Sequence, residues 1–333
     1  MAWCAAATSM SNGASDCSCH SGNNSNAGFL TNRCGFPRNK IGDAKCSLQR
    51  ILDGTGGDAT FGLMQFEHPC DAACNASSAG CSNNCTSSPN CDDGQLAVEI
   101  QSGNANLMRE WVDGQCQGTC GSGNYPRELT TGQWTPIARS LTRANEYLRG
   151  QLGAGFPFVT GQSTVSAPLA NDPQLACRPV SVILLTDGDD TCDMATAAPD
   201  AAGMLYAGQL NAGTAGGKAI RTYVIGFGAS GGNFNPTVLD NIAMRGGTDS
   251  GDTSTGMAHR YFPAMNEEQL SLALNRIIAD AQPPQEVCNG MDDDCDGNSD
   301  EGLPKFCNKP AGVTDKALCE EPKETLCDGM DDD

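Results

Sequence analysis

Two apolar runs, together with the helical patterns around them, limit what this chain can fold into. Residues 180–186 (VSVILLT) and 219–227 (AIRTYVIGF) have the continuous apolar character of strands that are buried on both faces of a parallel sheet. A third strand-like run covers residues 59–66. Strands that alternate with helical patterns predict an α/β fold, with a doubly wound, mostly parallel sheet flanked by helices. Such folds bind ligands where the carboxyl ends of strands meet the amino ends of helices.

The spacing of apolar residues predicts three helices. The three stripes are Ile41, Ala44, Leu48, Ile51 and Leu52; Ile137, Leu141, Ala144 and Leu148; and Leu270, Leu274, Ile277, Ile278 and Ala281. Asn266 and Gln269 have the spacing of a capping pair at the start of the third helix. Thr135 followed by Pro136 is typical of an N-cap residue and a first helical proline, which predicts where the second helix begins.

Nineteen cysteines indicate an oxidising compartment. Because the sequence has only three scattered histidines and no CxxC pair, we expect structural disulfides rather than zinc sites. Two stretches rich in Cys, Asn, Ser and Gly, at about 16–38 and 69–94, are predicted to be disulfide-pinned surface loops. We therefore expect a secreted or cell-surface protein. No export signal precedes the first strand, so we also expect the sequence to be truncated at its start.

The acidic charge excludes two classes of partner. Forty acidic and 20 basic residues give a net charge of −20, which repels nucleic acid and anionic lipid surfaces. No apolar run approaches the roughly 20 residues that cross a bilayer. We therefore expect a protein or matrix ligand as partner, with no nucleic acid and no membrane span in this chain.

Much of the acidity lies in an Asp- and Cys-rich tail. We predict two domains, 1–282 and 283–333, because the hydrophobic periodicity ends near Pro283. The segment 288–302 (CNGMDDDCDGNSDEG) recurs in part at 327–333 (CDGMDDD). The second copy ends one residue before the position that matches Cys295, so we expect the tail to be truncated as well.

The first tail repeat has the alternating oxygen ligands of a calcium loop. The predicted ligands are Asp292, Asp294, Asp296, Asn298, Asp300 and Glu301. A disulfide between Cys288 and Cys295 would pin the loop, although Leu303 stands where an EF-hand has its closing Glu. The second copy, with Asp331 and Asp333, is incomplete. The segment resembles the metal-binding repeats of bacterial surface proteins of the MopE-like type; a solvated acidic linker is the alternative.

The order of motifs up to residue 281 resembles the von Willebrand factor A domain. Its parts are the strand AWCAAA, the Ser-rich TSMS, the helix IGDAKCSLQRIL, the strand ATFGLMQF, then WTPIARSL, VILLTDG, TYVIGFG and a closing helix. The resemblance implies a Mg²⁺ site at the carboxyl edge of the sheet, with the ligands Ser9, Ser11, Thr135 and Asp187. Ala7 stands where the family has a leading Asp, which removes a charge and an oxygen ligand.

Three functional hypotheses follow from these features. The first is an exported, adhesion-type binding module that docks its partner around the four implied metal ligands. The second is a structural surface protein, stiffened by disulfides and calcium, whose Mg²⁺ site is degenerate. The third is a serine hydrolase, because residues 228–232 (GASGG) match GxSxG around Ser230 and His259 lies downstream. The delayed helix at Pro236 and the lack of an obvious acid argue against this third hypothesis, so we expect that the protein is not an enzyme.

Overall fold

The structure, a computed structural model, contains six strands and six helices among the residues that it describes. Those residues are 2–5, 31–36, 38–55, 59–66, 91, 93–114, 129, 134–151, 168–169, 175, 178–210, 217–228, 234–253, 256–282, 292–294 and 298. The strands are β1 Ala2–Ala5, β2 Gly62–Gln65, β3 Gln95–Val98, β4 Ser181–Thr186, β5 Arg221–Phe227 and β6 Phe262–Ala264. The helices are α1 Lys40–Gly54, α2 Ala105–Glu110, α3 Ile137–Leu148, α4 Ala197–Tyr206, α5 Pro236–Arg245 and α6 Glu267–Asp280.

The six strands form one sheet in the order β3-β2-β1-β4-β5-β6. Neighbouring strands are parallel except for β2 and β3, which are antiparallel. The chain winds outward in one direction from β1 and in the other from β4, so the predicted doubly wound, mostly parallel sheet flanked by helices is confirmed. The strand order reverses between β1 and β4, and the carboxyl ends of these strands border the crevice where such folds bind ligands.

The two central apolar runs form the most buried strands. All six residues of β4 and the last six of β5 are buried, which explains their continuous apolar sequence. Helices cover the sheet in two groups, because α1 packs against α6, and α4 packs between α3 and α5. The three predicted helical stripes supply buried side chains such as Leu48, Leu141 and Leu274.

The start of α6 confirms its predicted cap. Asn266 Oδ1 accepts a hydrogen bond from the Gln269 amide at 3.0 Å, and Gln269 Oε1 accepts one from the Met265 amide at 2.7 Å. The start of α3 differs from its prediction. Pro136 holds the N-cap position there, without a side-chain cap, and the helix begins at Ile137. The prediction that Thr135 caps this helix is wrong, because a carboxylate from the segment after β4 binds the first turn instead.

Several elements were not indicated by apolar periodicity. Helix α4 (AAPDAAGMLY) contains a proline and a glycine and is buried largely through alanines, so it carries no stripe of large apolar residues. Strand β3 has four residues and follows directly on the Cys-rich stretch 69–94. In both cases packing against neighbouring elements, rather than local pattern, defines the structure.

The described ends of both Cys-rich stretches carry disulfides. Cys34 is bonded to Cys46 in α1, and Cys91 is bonded to Cys192, which follows β4. The expected structural disulfides are therefore present at these two places.

The chain divides into two compact units. One comprises Met1–Asn171 with Val180–Asp280, and the other comprises Asp172–Pro179 with Ala281–Asp333. The sheet and the six helices belong to the first unit. The domain boundary after residue 282 stays a prediction, and nothing in the sequence indicated that Asp172–Pro179 belongs to the second unit. In the part of the chain that the structure describes, no helix is both long and apolar enough to cross a bilayer.

Candidate functional site

The ligand crevice of this sheet lies at the carboxyl ends of β1 and β4. Strand β4 leads into residues 187–196, here named the β4 loop, whose first residue is the predicted ligand Asp187. The segment after β1 contains Ala7 and the predicted ligands Ser9 and Ser11, and it lies outside the described residues. The described part of the site comes from the β4 loop, the amino end of α1, the segment before α3 and the end of β5.

Thr186 shapes the turn that presents Asp187. Its hydroxyl donates a hydrogen bond to the Gly188 carbonyl at 2.8 Å and accepts one from the Gly188 amide at 3.2 Å. Thr186 and Asp187 are both buried. The Thr-Asp-Gly sequence therefore forms a tight turn directly after a buried strand and holds a carboxylate at the sheet edge.

An ammonium group from α1 pairs with this buried carboxylate. Lys40 is the first residue of α1, and its Nζ lies 2.8 Å from Asp187 Oδ2. The Asp187 side chain is 6% exposed, whereas that of Lys40 is 32% exposed. Lys40 therefore brings a positive charge to the crevice, where the resemblance to the von Willebrand factor A domain implied a metal ion.

A glycine at the end of β5 makes room for the lysine side chain. Gly228 has a φ of +83°, and a Cβ placed on it would lie 2.5 Å from Lys40 Cε. Its amide donates a hydrogen bond to the Ala264 carbonyl at 2.7 Å, which fixes the backbone at this point. A larger residue would collide with the lysine stem and would need a φ that L residues rarely adopt. Gly228 and Asp187 thus position Lys40 from the ends of two neighbouring strands.

The Asp187 carboxylate is satisfied on one side only. Oδ2 accepts the hydrogen bond from Lys40, whereas Oδ1 is buried and has no hydrogen-bond partner among the described residues. Burial raises the pKa of Asp187, and the hydrogen bond and charge of Lys40 offset part of that rise. Loss of the ammonium would therefore leave a buried carboxylate without this compensating charge.

The next two carboxylates of the β4 loop bind the amino ends of helices. Asp189 Oδ1 accepts a hydrogen bond at 2.7 Å from the amide of Asn235, the N-cap residue of α5. Asp190 Oδ2 accepts one at 2.8 Å from the Ala138 amide in the first turn of α3, and its Oδ1 accepts two more from amides later in the same loop. Carboxylates are stabilised there because free amides and the helix dipole make this end positive. Asp189 and Asp190 therefore hold the β4 loop against the amino ends of α5 and α3.

Thr135, another residue of the implied metal site, is tied to the same loop. Its amide donates a hydrogen bond to Thr191 Oγ1 at 2.8 Å, and its carbonyl accepts one from the Thr191 amide at 3.2 Å. Thr135 itself is buried. The structure thus joins the segment before α3 to the loop that begins at Asp187.

A disulfide and an arginine hold the far half of the loop. Cys192 is bonded to Cys91, which lies 101 residues earlier and just before β3. Arg139 of α3 donates hydrogen bonds to the Cys91 carbonyl at 2.5 Å and to Asp193 Oδ2 at 2.9 Å. The guanidinium therefore bridges the two chain segments that the disulfide joins.

Asp187 and Thr135, the two implied ligands that the structure describes, do not by themselves fit a divalent cation, and Ser9 and Ser11 lie outside the described residues. Mg²⁺ requires near-octahedral oxygen coordination with one or two carboxylates. The Asp187 carboxylate already pairs with an ammonium, and a single and a double positive charge about 4 Å apart repel by about 8 kcal/mol at an effective dielectric constant of about 20. Ala7, where the resemblance implied a leading Asp, has no carboxylate and lies outside the described residues.

The calcium-type ligands of the tail are only partly described. Asp292, Asp294 and Asn298 are described, and each interacts with other residues. Outside the described residues lie Asp296, Asp300, Glu301, Asp331, Asp333, Cys288 and Cys295. The calcium loop and its disulfide stay predictions.

An acid that the sequence analysis did not single out contacts His259. The buried His259 places Nδ1 3.1 Å from Asp240 Oδ2. Asp240 Oδ1 also accepts hydrogen bonds from the amides of Arg260 and Tyr261, so the carboxylate holds this turn against α5. The sequence did not single out an acid between Ser230 and His259, and the structure places Asp240 against His259. Ser230 lies outside the described residues, and the bonds of Asp240 are accounted for by the turn.

Lys40 was not among the predicted site residues, although the sequence contains a signal for it. A basic residue in the first turn of a helix is unfavourable, because the positive end of the helix dipole lies there. Lys40 directly follows the N-cap residue Asn39, whose Oδ1 accepts a hydrogen bond from the Gly42 amide at 2.7 Å. A lysine in this position is better tolerated beside an acid, and the structure places Asp187 there.

Comparison with known proteins gives structural neighbours without a family assignment. No protein-family model matches the sequence, and a search of curated proteins finds no match. Proximal thread matrix protein 1 from the mussel byssus is similar at 14% identity, with a TM-score of 0.42 over 87% of this chain and 50% of that chain. A von Willebrand factor type A protein from Catenulispora acidiphila is similar at 11% identity, with a TM-score of 0.42 over 86% of this chain and 43% of that chain. This chain spans half or less of the length of these solved chains.

Proposed function

We propose that this chain is an exported, non-catalytic binding module that docks a protein or matrix partner at the carboxyl edge of its sheet without a bound metal ion. The ion pair between Lys40 and Asp187 carries the proposal. It puts a charged, partly exposed group in the crevice where doubly wound folds bind their ligands. It also occupies the carboxylate that a Mg²⁺ ion would need.

The chemistry of the crevice suits an oxygen acceptor on the partner. An ammonium has three N–H donors, and Lys40 directs one of them to Asp187 Oδ2. A carboxylate, carbonyl or hydroxyl oxygen of a partner can accept a second hydrogen bond while Asp187 holds the lysine in position. The Lys40 side chain is 32% exposed, which is compatible with such a contact.

Disulfides support the exported location. Cys34–Cys46 and Cys91–Cys192 are bonds that form and persist in oxidising compartments. We propose in addition that the first tail repeat binds Ca²⁺ through its alternating acids, beginning with Asp292 and Asp294. The alternative to docking is a purely structural surface component with the same disulfides and the same tail.

Calorimetric titration of the full, oxidised chain tests the metal assignment. With Ca²⁺ we expect heat that Asp292→Asn/Asp294→Asn removes, because the tail supplies the ligands. With Mg²⁺ we expect no heat that depends on Asp187. A Mg²⁺ signal that disappears in Asp187→Asn would show that the crevice binds metal and would contradict the proposal.

Partner capture in the presence of EDTA tests docking. The immobilised protein is incubated with matrix and cell-surface extracts, and wild type is compared with Lys40→Glu. The matched control is Lys45→Glu, which makes the same charge change five residues further along α1. A partner that is lost with Lys40→Glu and retained with Lys45→Glu supports docking at the crevice. Identical capture by all three proteins favours the structural alternative.

An active-serine probe tests the non-catalytic assignment. The full chain is treated with a fluorophosphonate and analysed by peptide mass spectrometry. We expect no modification of Ser230. Labelling of Ser230 that is lost when His259 is replaced by alanine would identify a hydrolase instead.

A further inference from the structure

A groove of about 420 Å³ lies between α3 and α4, beside the far half of the β4 loop. Its volume is within the range of about 300 to 1,000 Å³ that is typical of ligand sites. We propose that this groove binds a basic peptide segment of a protein partner, with a lysine or arginine side chain of that segment held among the carboxylates of the groove. This surface is separate from the crevice of the proposed function, since neither Lys40 nor Asp187 lines it.

Acidic side chains outnumber basic ones in the lining of the groove. The acids are Asp93, Glu146, Asp193 and Asp200, and the bases are Arg139 and Arg143. Arg245 of α5 pairs with Asp200 from outside the lining, with 2.6 Å between Nη1 and Oδ1, and still leaves the acids in excess. The groove therefore attracts a cationic ligand and repels an anionic one.

The two arginines already use hydrogen-bond donors on acids of the same groove. Arg143 donates from Nε and Nη2 to Asp93 Oδ2, and from Nη1 to Glu146 Oε2. Arg139 donates from Nε to Asp193 Oδ2 at 2.9 Å. An anionic ligand would have to displace these carboxylates before an arginine could bind it. The arginines thus position the acids for a cation.

Three of the carboxylates keep an oxygen to which no described residue donates a hydrogen bond. These oxygens are Asp93 Oδ1, Glu146 Oε1 and Asp200 Oδ2, whereas the other oxygen of each carboxylate pairs with an arginine. The three side chains are between 27% and 48% exposed. An ammonium or guanidinium has several N–H donors and no acceptor. A basic side chain therefore supplies the donors for these oxygens, which the arginine pairs hold in place before binding.

The apolar part of the lining favours a long basic side chain over a small cation. Ala138, Ala201 and Met204 line the same groove. Lysine and arginine bury their methylene stems along apolar surface and keep the charged head among polar groups. A bare cation gains nothing from such a surface. The charge and the composition of the lining together indicate a lysine or arginine side chain on a partner chain.

Binding of labelled peptides to the full, oxidised chain tests the proposal. The probe is a peptide of alternating glycine and arginine, and its control has glutamate in place of arginine. Fluorescence anisotropy measures both at about 0.15 M salt, where attraction between charges more than about 8 Å apart is largely screened. We expect the arginine peptide to bind and the glutamate peptide not to bind.

Thr142 allows the groove to be blocked at an exposed position. It lines the groove on α3, and its hydroxyl donates to the Ala138 carbonyl one turn earlier. Thr142→Lys places a competing ammonium in the groove and should weaken binding of the arginine peptide roughly tenfold, whereas Thr142→Glu adds a carboxylate and should strengthen it. Misfolding cannot produce these opposite effects. The matched controls, Asn275→Lys and Asn275→Glu on exposed α6 surface, change the net charge equally and should alter binding less than about twofold.

A second pair of variants tests one of the acids directly. Asp200→Asn removes a groove carboxylate, and Asp249→Asn is its control, because each acid forms an exposed ion pair with an arginine, at 2.6 Å and 2.7 Å. The first change should weaken binding of the arginine peptide about threefold, and the second should leave it unchanged.

Three results overturn the proposal. Equal weakening by Thr142→Lys and Asn275→Lys would mean that the overall negative charge, including that of the acidic tail, holds the peptide. Stronger binding of the glutamate peptide would make the arginines the recognition groups. The proposal also fails if wild type does not bind the arginine peptide, whether it binds nothing or binds only spermidine, a free polyamine measured in parallel.

Discussion

The two ends of the β4 loop are held in different ways. At its far end, Cys192 is bonded to Cys91, and Arg139 bridges the same two segments. At its start, Asp187 pairs with Lys40, whose side chain is partly exposed, and one buried carboxylate oxygen has no partner in the part of the chain that the structure describes. The far end therefore fastens the loop, whereas the near end keeps hydrogen-bonding capacity that a ligand can use.

Removing the Cys91–Cys192 disulfide is expected to lower the free energy of unfolding more than any other change at this loop. Cys91→Ser/Cys192→Ser removes a link between residues 101 apart, for which loop-closure entropy predicts a loss of about 4 to 5 kcal/mol in unfolding free energy. The matched control, Cys34→Ser/Cys46→Ser, opens a link of 12 residues and should lose about 3 kcal/mol. Urea unfolding without reductant measures both losses. A larger loss in the control would contradict the ranking of the two disulfides.

Removing the ammonium at the near end should have the next largest effect. Lys40→Met leaves the buried Asp187 carboxylate unpaired, and we expect a loss of about 2 to 3 kcal/mol at neutral pH, below the range for fully buried pairs because Lys40 is partly exposed. Asp187→Asn should lose less, since it removes the buried charge and leaves an ammonium that water can solvate. Thermal unfolding at pH 7 distinguishes the variants. Equal losses would mean that the buried carboxylate does not depend on Lys40.

Breaking the exposed ion pair between Arg139 and Asp193 should lower the unfolding free energy less than removing the disulfide or Lys40. Arg139 and Asp193 are 38% and 27% exposed, so solvent screens their attraction. Arg139→Met should therefore lose about 1 kcal/mol or less. Arg109→Met, which breaks an even more exposed pair with Asp53, is the matched control. A loss for Arg139→Met above that for Lys40→Met would reverse the comparison between the two ends.

The apolar parts of the fold could be predicted from the sequence because burial determines residue type directly. Strands β4 and β5 are buried on both faces and are therefore continuously apolar, and the three amphipathic helices carry regular stripes. Helix α4 escaped prediction because it packs through small residues, so no periodic pattern of large side chains marks it. Thr135 was misassigned as a cap because Asp190 satisfies the first turn of α3 from another segment.

Of the two residues in the ion pair at the candidate site, only Asp187 could be predicted from the sequence. Asp187 follows a buried strand in a recognisable turn, which is a local signal. Lys40 contacts it from 147 residues away, and a single long-range pair leaves no periodic trace in either segment. Asp189 and Asp190 follow Asp187 in an acidic run, but their carboxylates bind helix amino ends, which the sequence alone does not reveal.

The pH dependence of the unfolding free energy reports on the ionisation of Asp187 at the near end of the loop. We expect this effect to be smaller than those of the substitutions above. Burial, partly offset by Lys40, raises the pKa of Asp187, so the folded state keeps the Asp187 proton at pH values where the unfolded chain has lost it. The stabilisation from this proton is complete below the ordinary pKa of Asp and is lost as pH rises through the raised value. The asparagine of Asp187→Asn does not titrate, so only wild type loses stability as pH rises through this range. The free energy of unfolding of Asp187→Asn should therefore rise relative to that of wild type. A relative decrease, measured by urea unfolding at several pH values, would contradict the raised pKa.

The most direct test of the account is a crystal structure of the full, oxidised chain soaked in Mn²⁺, with anomalous scattering recorded for the metal. We expect Lys40 Nζ to stay within hydrogen-bond distance of Asp187 Oδ2 and no anomalous peak to lie at the Asp187 carboxylate. A manganese peak coordinated by Asp187, with the lysine displaced, would contradict the claim that a protein ammonium replaces the metal at this crevice.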